Sequence, residues 1–240
     1  MSNMFSRGEM ILGSEGMRKL KKSHVAVFGL GGVGSWCAEA LVRSGVGKLT
    51  LVDHDTVSES NTNRQACASS KTVGQPKTEA MAQRLFDINP DVKINLISAR
   101  YEAAARARFF PPEQSWDYIV DAIDLVSCKI DLIETSMKLK IPIISAMGAG
   151  NKLDAQQMKI CDISKTYGCP LARVVRRELR NRGILHHQIV FSAEEIADCV
   201  PLGEEDLPQG RRSVPGSVMW VTATAGLLLA QHVITELIRE

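Results

Sequence analysis

Val25-Ala-Val-Phe-Gly-Leu-Gly-Gly-Val-Gly34 carries the pattern that decides the fold. A short apolar run enters Gly29-x-Gly31-x-x-Gly34, and an apolar, helix-like segment follows from Ser35 to Ser44. Gly45-Val-Gly47 ends that segment, and Lys48 to Asp53 reads as a second strand closing on an acid. This is a strand–turn–helix–strand unit suited to a nucleotide. Gly29 allows the tight turn, Gly31 lets the backbone approach a phosphate, and Gly34 lets the helix pack on the strand. The helix N-terminus aims free N–H groups and partial positive charge at the phosphates. Asp53 ends where a carboxylate can accept hydrogen bonds from a ribose hydroxyl. Alone, the glycines would point to a dinucleotide and a dehydrogenase.

Outward from this unit, strand and helix signals alternate. A helix is expected over Arg7 to Lys22 and another over Gln75 to Ile88, stopped by Asn89-Pro90. Val92 to Ile97 alternates as a strand, and Glu102 to Phe109 looks helical before Pro111-Pro112. Tyr118 to Asp121 is a buried strand, Lys129 to Lys138 a helix, and Ile141 to Ser145 a further strand. The expected fold class is α/β: a doubly wound, Rossmann-like, mostly parallel sheet with helices on both faces. Beyond Gly148-Ala-Gly150 the rhythm changes. Met158 to Ile163 and Ile189 to Ser192 read as strands extending the sheet in the antiparallel sense, with an Arg-rich helix between them. A Pro/Gly loop from Pro201 to Gly216 leads to an apolar helix.

At 240 residues and 45% hydrophobic, the chain can bury a full core as one large domain. A net charge of +2 does not announce a nucleic-acid binder, so any such surface must be local. The six cysteines form no C-x-x-C pair, which argues against a zinc ribbon or redox motif. The polar, mixed opening residues do not read as a secretory signal, so a cytoplasmic, reduced protein is expected. Ser217 to Ile234 is largely apolar, but Gln231 and His232 interrupt it. It reads as a buried core helix rather than a span, leaving peripheral membrane association open.

The long polar stretch from Asp55 to Val73 exceeds a plain connector, and loops of that length are usually functional or disordered. It carries Asn61 and Arg64, and Lys77 follows in Val73-Gly-Gln-Pro-Lys77. An amide and two cations beyond the ribose acid suit a triphosphate better than the pyrophosphate of NAD, because Arg offers a bidentate fork and Lys a point charge. Solvated loop residues remain the alternative. Asp121-Ala-Ile-Asp124 closes the fourth parallel strand, where residues line the ligand crevice. Asp124 could hold magnesium beside the phosphates, or cap the helix that follows; Asp121 is the better candidate to cap or orient.

Together with Asp53-His-Asp55, Asn61-Thr-Asn-Arg-Gln65 and Ile88-Asn-Pro90, these motifs resemble the ubiquitin-activating-type adenylyltransferases, the ThiF/MoeB/HesA group. The resemblance runs in order through residues 7 to 150. It implies that Gly29, Gly31, Gly32 and Gly34 cradle ATP, with Asp53 on the ribose. It further implies Asn61, Arg64 and Lys77 on the phosphates and magnesium on Asp124. Arg7 resembles an N-terminal arginine that reaches the phosphates of a partner subunit in a homodimer. Arg7, Arg64, Lys77 and Asp124 are thus the expected catalytic residues.

Ser145 to Asp154, Asp162 to Leu171 and Arg211 to Ser217 are similar to the tRNA threonylcarbamoyladenosine dehydratases within that group. The resemblance then covers nearly the whole chain. It implies one adenylation domain over 1–240, with an ATP-binding core over 1–150 and extra strands, Arg-rich helix, loop and packing helix over 151–240. The implied reaction is ATP-dependent cyclisation of threonylcarbamoyladenosine beside the tRNA anticodon. A monovalent cation, sodium or potassium, near Gly148 to Gly150 is also implied, and a cysteine desulfurase or sulfur-acceptor partner stays open. His54 is a weak general-base candidate. Cys169 is not carried over as a nucleophile, although it could begin the Pro170 to Arg182 helix.

Arg173, Arg176, Arg177 and Arg180 fall on one stripe of that helix, and Arg182 and Arg211-Arg212 extend the basic surface. Stacked like charges repel unless an anion relieves them. With the resemblance, tRNA backbone contact is favoured over a solvated face partly neutralised by Glu178 and Glu194-Glu195. Two rival readings remain. One is an adenylyltransferase for a sulfur-carrier or ubiquitin-like protein, against which the missing zinc cysteines speak. The other is an NAD-binding dehydrogenase or redox sensor, which would not need Arg64 and Lys77.

Overall fold

The computed structural model describes residues 4–111, 115–195 and 215–239. Its sheet is built from β1 (His24–Phe28), β2 (Lys48–Val52), β3 (Lys93–Ile97), β4 (Tyr118–Asp121), β5 (Ile143–Ala146), β6 (Met158–Asp162) and β7 (Gln188–Ser192). The seven strands lie in the order β3-β2-β1-β4-β5-β7-β6. All neighbouring pairs are parallel except β6 with β7. The expected antiparallel extension is therefore β6 alone, because β7 joins β5 in the parallel sense. Chain order reverses direction between β1 and β4, which makes their carboxyl ends the place where an open α/β sheet leaves a crevice.

Alternation in the strands serves two cores. Val25, Val27, Leu49, Leu51 and Val120 face one, with α1 (Ser6–Lys22), α2 (Gly34–Arg43) and α3 (Lys77–Ile88). Ala26, Phe28 and Ile119 face the other, with α4 (Arg106–Phe109), α5 (Val126–Lys138) and α6 (Pro170–Asn181). A strand buried on both sides is mostly apolar, which is why residues 25–28 of β1 read as a continuous apolar run. His24 at its start is buried with hydrogen bonds to Ser115 and Thr50. α1 is broken where one helix was expected: Gly13 has φ of +72°, a left-handed conformation that interrupts helical φ/ψ. The segment expected as a helix over 102–109 is a 3-10 turn at Ala103–Ala105 leading into α4.

The apolar C-terminal segment forms α7 (Met219–Ile238), the one helix among the described residues long and apolar enough to cross a membrane. Here it lies on the first core, with Val221, Ala225, Leu229 and Val233 buried. Gly226 makes the contact with α2 close: a Cβ there would stand 2.4 Å from the Val33 carbonyl oxygen.

Beneath the crevice lies a polar layer that sequence patterning did not expose. Asp121 and Lys129, each 0% exposed, pair at 2.7 Å, and Ser145 Oγ and His187 Nε2 share a hydrogen bond of 2.7 Å. Burial, reinforced by the Lys129 charge, pulls the His187 pKa down from 6.5 to about 3. Burial and the Lys48 charge pull His24 down to about 4. Unfolded, both rings would bind protons near pH 6.5; folded, they do so only well below it. Stability is therefore present above the unfolded value and falls as pH drops through 6.5 towards the folded values. Urea midpoints should decline as pH is lowered below that point, and His187→Gln should flatten the decline. A midpoint that stays constant or rises would contradict this.

Candidate active site

The glycine turn is set by close approach. Gly29 has φ of +91°, and a Cβ there would lie 2.6 Å from the Ala122 carbonyl oxygen. A Cβ on Gly34 would lie 1.8 Å from the Gly29 carbonyl oxygen. These two glycines thus draw the ends of β1 and β4 together, and Gly34 serves the turn itself as much as helix packing. Gly31 differs: nothing lies within 4 Å of the position its Cβ would take. The N–H groups of Gly31, Gly32 and Val33 donate to no acceptor among the described residues. Three free donors at the start of α2 form an anion cradle.

Asp53 follows β2 and turns back on this cradle. Its Oδ2 accepts from the Leu30 N–H at 2.6 Å and its Oδ1 from the Asp55 N–H at 2.8 Å. Each oxygen keeps a lone pair for a hydroxyl. The polar stretch beyond Asp53 is tied down rather than free. Ser35 Oγ accepts from the Ala66 N–H, Trp36 Nε1 donates to the Arg64 carbonyl at 2.8 Å, and Cys67 lies against the Leu30 carbonyl. These ties carry Arg64 over the turn, its Cγ 3.3 Å from where a Gly32 Cβ would stand. Thr222 of α7 closes the same spot at 3.1 Å.

Asp124 is exposed and has no hydrogen bond or ion pair among the described residues. It does not cap α5, whose N-cap is Leu125 without a side-chain bond. Desolvation pulls the Arg64 pKa below the ordinary arginine value, and the charge of Asp124 opposes that shift. Asp121 plays the orienting part: its Oδ1 accepts from the Ile123 N–H, bending the 122–124 loop, while Lys129 neutralises its other oxygen. Sequence reading missed Lys129, because one lysine on an amphipathic helix gives no sign of being buried.

Asn61 is buried in a 3-10 turn, its Oδ1 accepting from the Ser58 N–H. Lys77 begins α3, and its Nζ bonds Asp55 at 2.8 Å, so Asp55 restrains it. His54 is exposed between Asp55 and Arg100. Arg7 is exposed on the first turn of α1, while its neighbour Phe5 packs at Gly45, beside the amino end of β2. That edge is opposite the crevice.

On α6, Arg173, Arg177 and Arg180 are exposed, whereas Arg176 Nη1 donates to the Thr166 carbonyl at 2.7 Å. Glu178 pairs with Arg177 and Arg182, as expected of a neutralising group. Glu194 does not join it: its carboxylate accepts from the Leu153 and Asp154 N–H groups. Cys169 Sγ accepts from the Ala172 N–H as the N-cap of α6. Arg211 and Arg212 lie outside the described residues.

A switch-point crevice with an anion cradle, a ribose-type acid, a guanidinium and an unpaired carboxylate defines a nucleotide-using α/β enzyme site. The chain matches the ThiF family model over residues 5–240 and belongs to the ThiF family. It is 42% identical to the tRNA threonylcarbamoyladenosine dehydratase of Bacillus subtilis (strain 168), over 100% of this chain and 96% of that one. The crystal structure of E. coli tRNA N6-threonylcarbamoyladenosine dehydratase, TcdA, in complex with ATP is similar at a TM-score of 0.86 and 33% identity. That match covers 98% of this chain and 93% of the other. The molybdopterin-synthase adenylyltransferase of Escherichia coli (strain K12) is 37% identical over 59% of this chain and 55% of its own.

The two kinds of glycine separate experimentally. Gly31→Ala should unfold at the wild-type temperature yet lose at least tenfold in ATP affinity, because its Cβ would meet no protein atom and would enter the open space beside the free N–H donors. Gly29→Ala should lower the melting temperature by several degrees, since a left-handed alanine meets a carbonyl oxygen. Equal loss of stability in both variants would contradict this division.

Proposed function

We propose that the chain is an ATP-dependent dehydratase acting on threonylcarbamoyladenosine in tRNA, beside the anticodon. The observation that carries this reading is the convergence of Arg64, Asp124 and the free N–H groups of the glycine turn at one switch point. Likeness over the full chain to relatives named for this reaction supports the substrate.

The substrate carboxylate attacks the α-phosphorus of ATP, giving an acyl-adenylate and releasing pyrophosphate. An atom of the carbamoyl group then attacks the activated carbonyl, the C–O bond to AMP breaks, and a ring closes with net loss of water. Adenylation matters because a carboxylate oxygen leaves poorly and AMP leaves well. Gly31, Gly32 and Val33 hold phosphate oxygens through their N–H groups, and Asp53 accepts from the ribose. Arg64, Lys77 and Asn61 neutralise and align the phosphates for in-line attack. Lys77 shares its charge with Asp55 while doing so.

Asp124 is a fitting magnesium ligand: an exposed, unpaired, hard oxygen donor beside Arg64. Bound there, magnesium would offset phosphate charge as pyrophosphate leaves. A sodium or potassium ion fits the loop after β5, where the buried Asn151 Oδ1 has no hydrogen-bond partner among the described residues. Residues 1–240 act as one adenylation unit in a homodimer. Two features support the dimer: Arg7 sits across the sheet from its own crevice, and Met10 and Ile11 on α1 are each 86% exposed. The unit works in the cytoplasm. Arg173, Arg177 and Arg180 contact the tRNA backbone with Arg211 and Arg212, while Arg176 is held by Thr166.

Labelled ATP and a choice of partner separate this reading from its rivals. AMP should be released with tRNA carrying threonylcarbamoyladenosine, and not with a carrier protein ending in Gly-Gly. Release with the carrier alone would favour the protein adenylyltransferase; no release with either, alongside tight NAD binding, would overturn the adenylation reading.

A further inference from the structure

A separate recess lies at the start of α6. Tyr167, Gly168, Cys169, Pro170, Arg173 and Arg176 line a cavity of about 150 Å³. That is the size class that accepts one benzene-sized ring. It opens on the same edge of the sheet as the glycine turn. A Cβ on Gly148, just past β5, would stand 3.7 Å from Cys169 Sγ. The Tyr167 ring packs edge-on against Phe191 of β7, and in the order β1-β4-β5-β7 that is three strand spacings, about 15 Å, from the turn.

Tyr167 is 60% exposed, so much of its ring is open to a ligand. Its turn is clamped rather than loose. The Thr166 N–H and hydroxyl both donate to the Ile163 carbonyl, and Arg176 holds the Thr166 carbonyl from α6. Gly168 has φ of +69°, and a Cβ there would lie 2.9 Å from the Ala193 carbonyl oxygen. Lys159 Nζ stands 4.8 Å from the Tyr167 ring centroid and donates to its hydroxyl at 3.1 Å. Arg173, on the cavity wall, has no ion pair among the described residues.

We propose that this recess is a stacking subsite for an unpaired RNA base, with Tyr167 as the platform and Arg173 on the adjoining phosphate. A rigid, exposed ring beside free positive charge is the arrangement that binds single-stranded nucleotides without reading their edges. The subsite would receive a neighbour of the reacting nucleotide, so its role is to splay and place the loop. This rests on the tRNA reading above.

Steady-state AMP release with tRNA carrying threonylcarbamoyladenosine is the test. Tyr167→Ala should raise KM for the tRNA roughly tenfold and leave KM for ATP unchanged, while Tyr167→Phe should keep near-wild-type values. Tyr167→Trp should give a fluorescence signal that an unmodified anticodon stem-loop RNA quenches. A KM within twofold of wild type in Tyr167→Ala, or equal damage from Phe and Ala, would overturn the subsite and leave the tRNA reading standing. Quenching by polyglutamate but not RNA would assign the recess to an acidic peptide and overturn it too. Loss of tRNA-dependent AMP release in the wild-type protein would instead sink the tRNA reading and the subsite with it.

Discussion

The site depends on how closely β1 and β4 end against each other. With Gly29 able to take φ of +91° and stand against the Ala122 carbonyl, two loops from non-consecutive strands share one crevice. Any side chain at that point would push them apart. The cradle N–H groups come from the first loop and the Asp124 carboxylate from the second, so the geometry of the crevice inherits the tightness of this contact. Gly226 extends the same logic outward, letting α7 settle on α2 and bring Thr222 over the turn.

Buried charge stabilises the second loop. Asp121 has no exposure, yet it satisfies one oxygen with the Ile123 N–H and the other with Lys129. A buried pair of this kind adds little net stability, because desolvation offsets most of the attraction. What it fixes is direction: the bend at 122–123 leaves Asp124 exposed, uncapped and facing the charge of Arg64. Arg64 is held by its backbone through Trp36 and by Nη1, which donates to the Ser60 carbonyl and to Asn63 Oδ1 at 2.9 Å each, so that among the described residues only Nε and Nη2 are left to serve a ligand.

Much of this was legible in the residues because the fold rests on strong local signals. The continuous apolar runs of β1 and β4 and the glycine spacing announce a doubly wound sheet, and the polar stretch after Asp53 announces a loop with work to do. Pairing sense was harder. β6 and β7 look alike as sequences, and only the chain's path decides that β7 joins β5 in parallel. The break at Gly13 was hidden because α1 is helical on either side of it. Lys129 and His187 were silent for the reason that Lys77 was ambiguous: burial and partners belong to the tertiary fold. Lys77 reads as a free cation in sequence and is restrained by Asp55 in space. Tyr167 was likewise invisible, since exposure of an aromatic cannot be read from its neighbours.

The central claim is that this crevice directs a substrate carboxylate onto the α-phosphorus of ATP. The most direct measurement uses tRNA whose threonylcarbamoyl carboxylate carries ¹⁸O, followed by mass analysis of the nucleotide products. Attack at the α-phosphorus, then ring closure, leaves one labelled oxygen in AMP. Label in inorganic phosphate with ADP as co-product, or unlabelled AMP beside cyclised tRNA, would contradict the account.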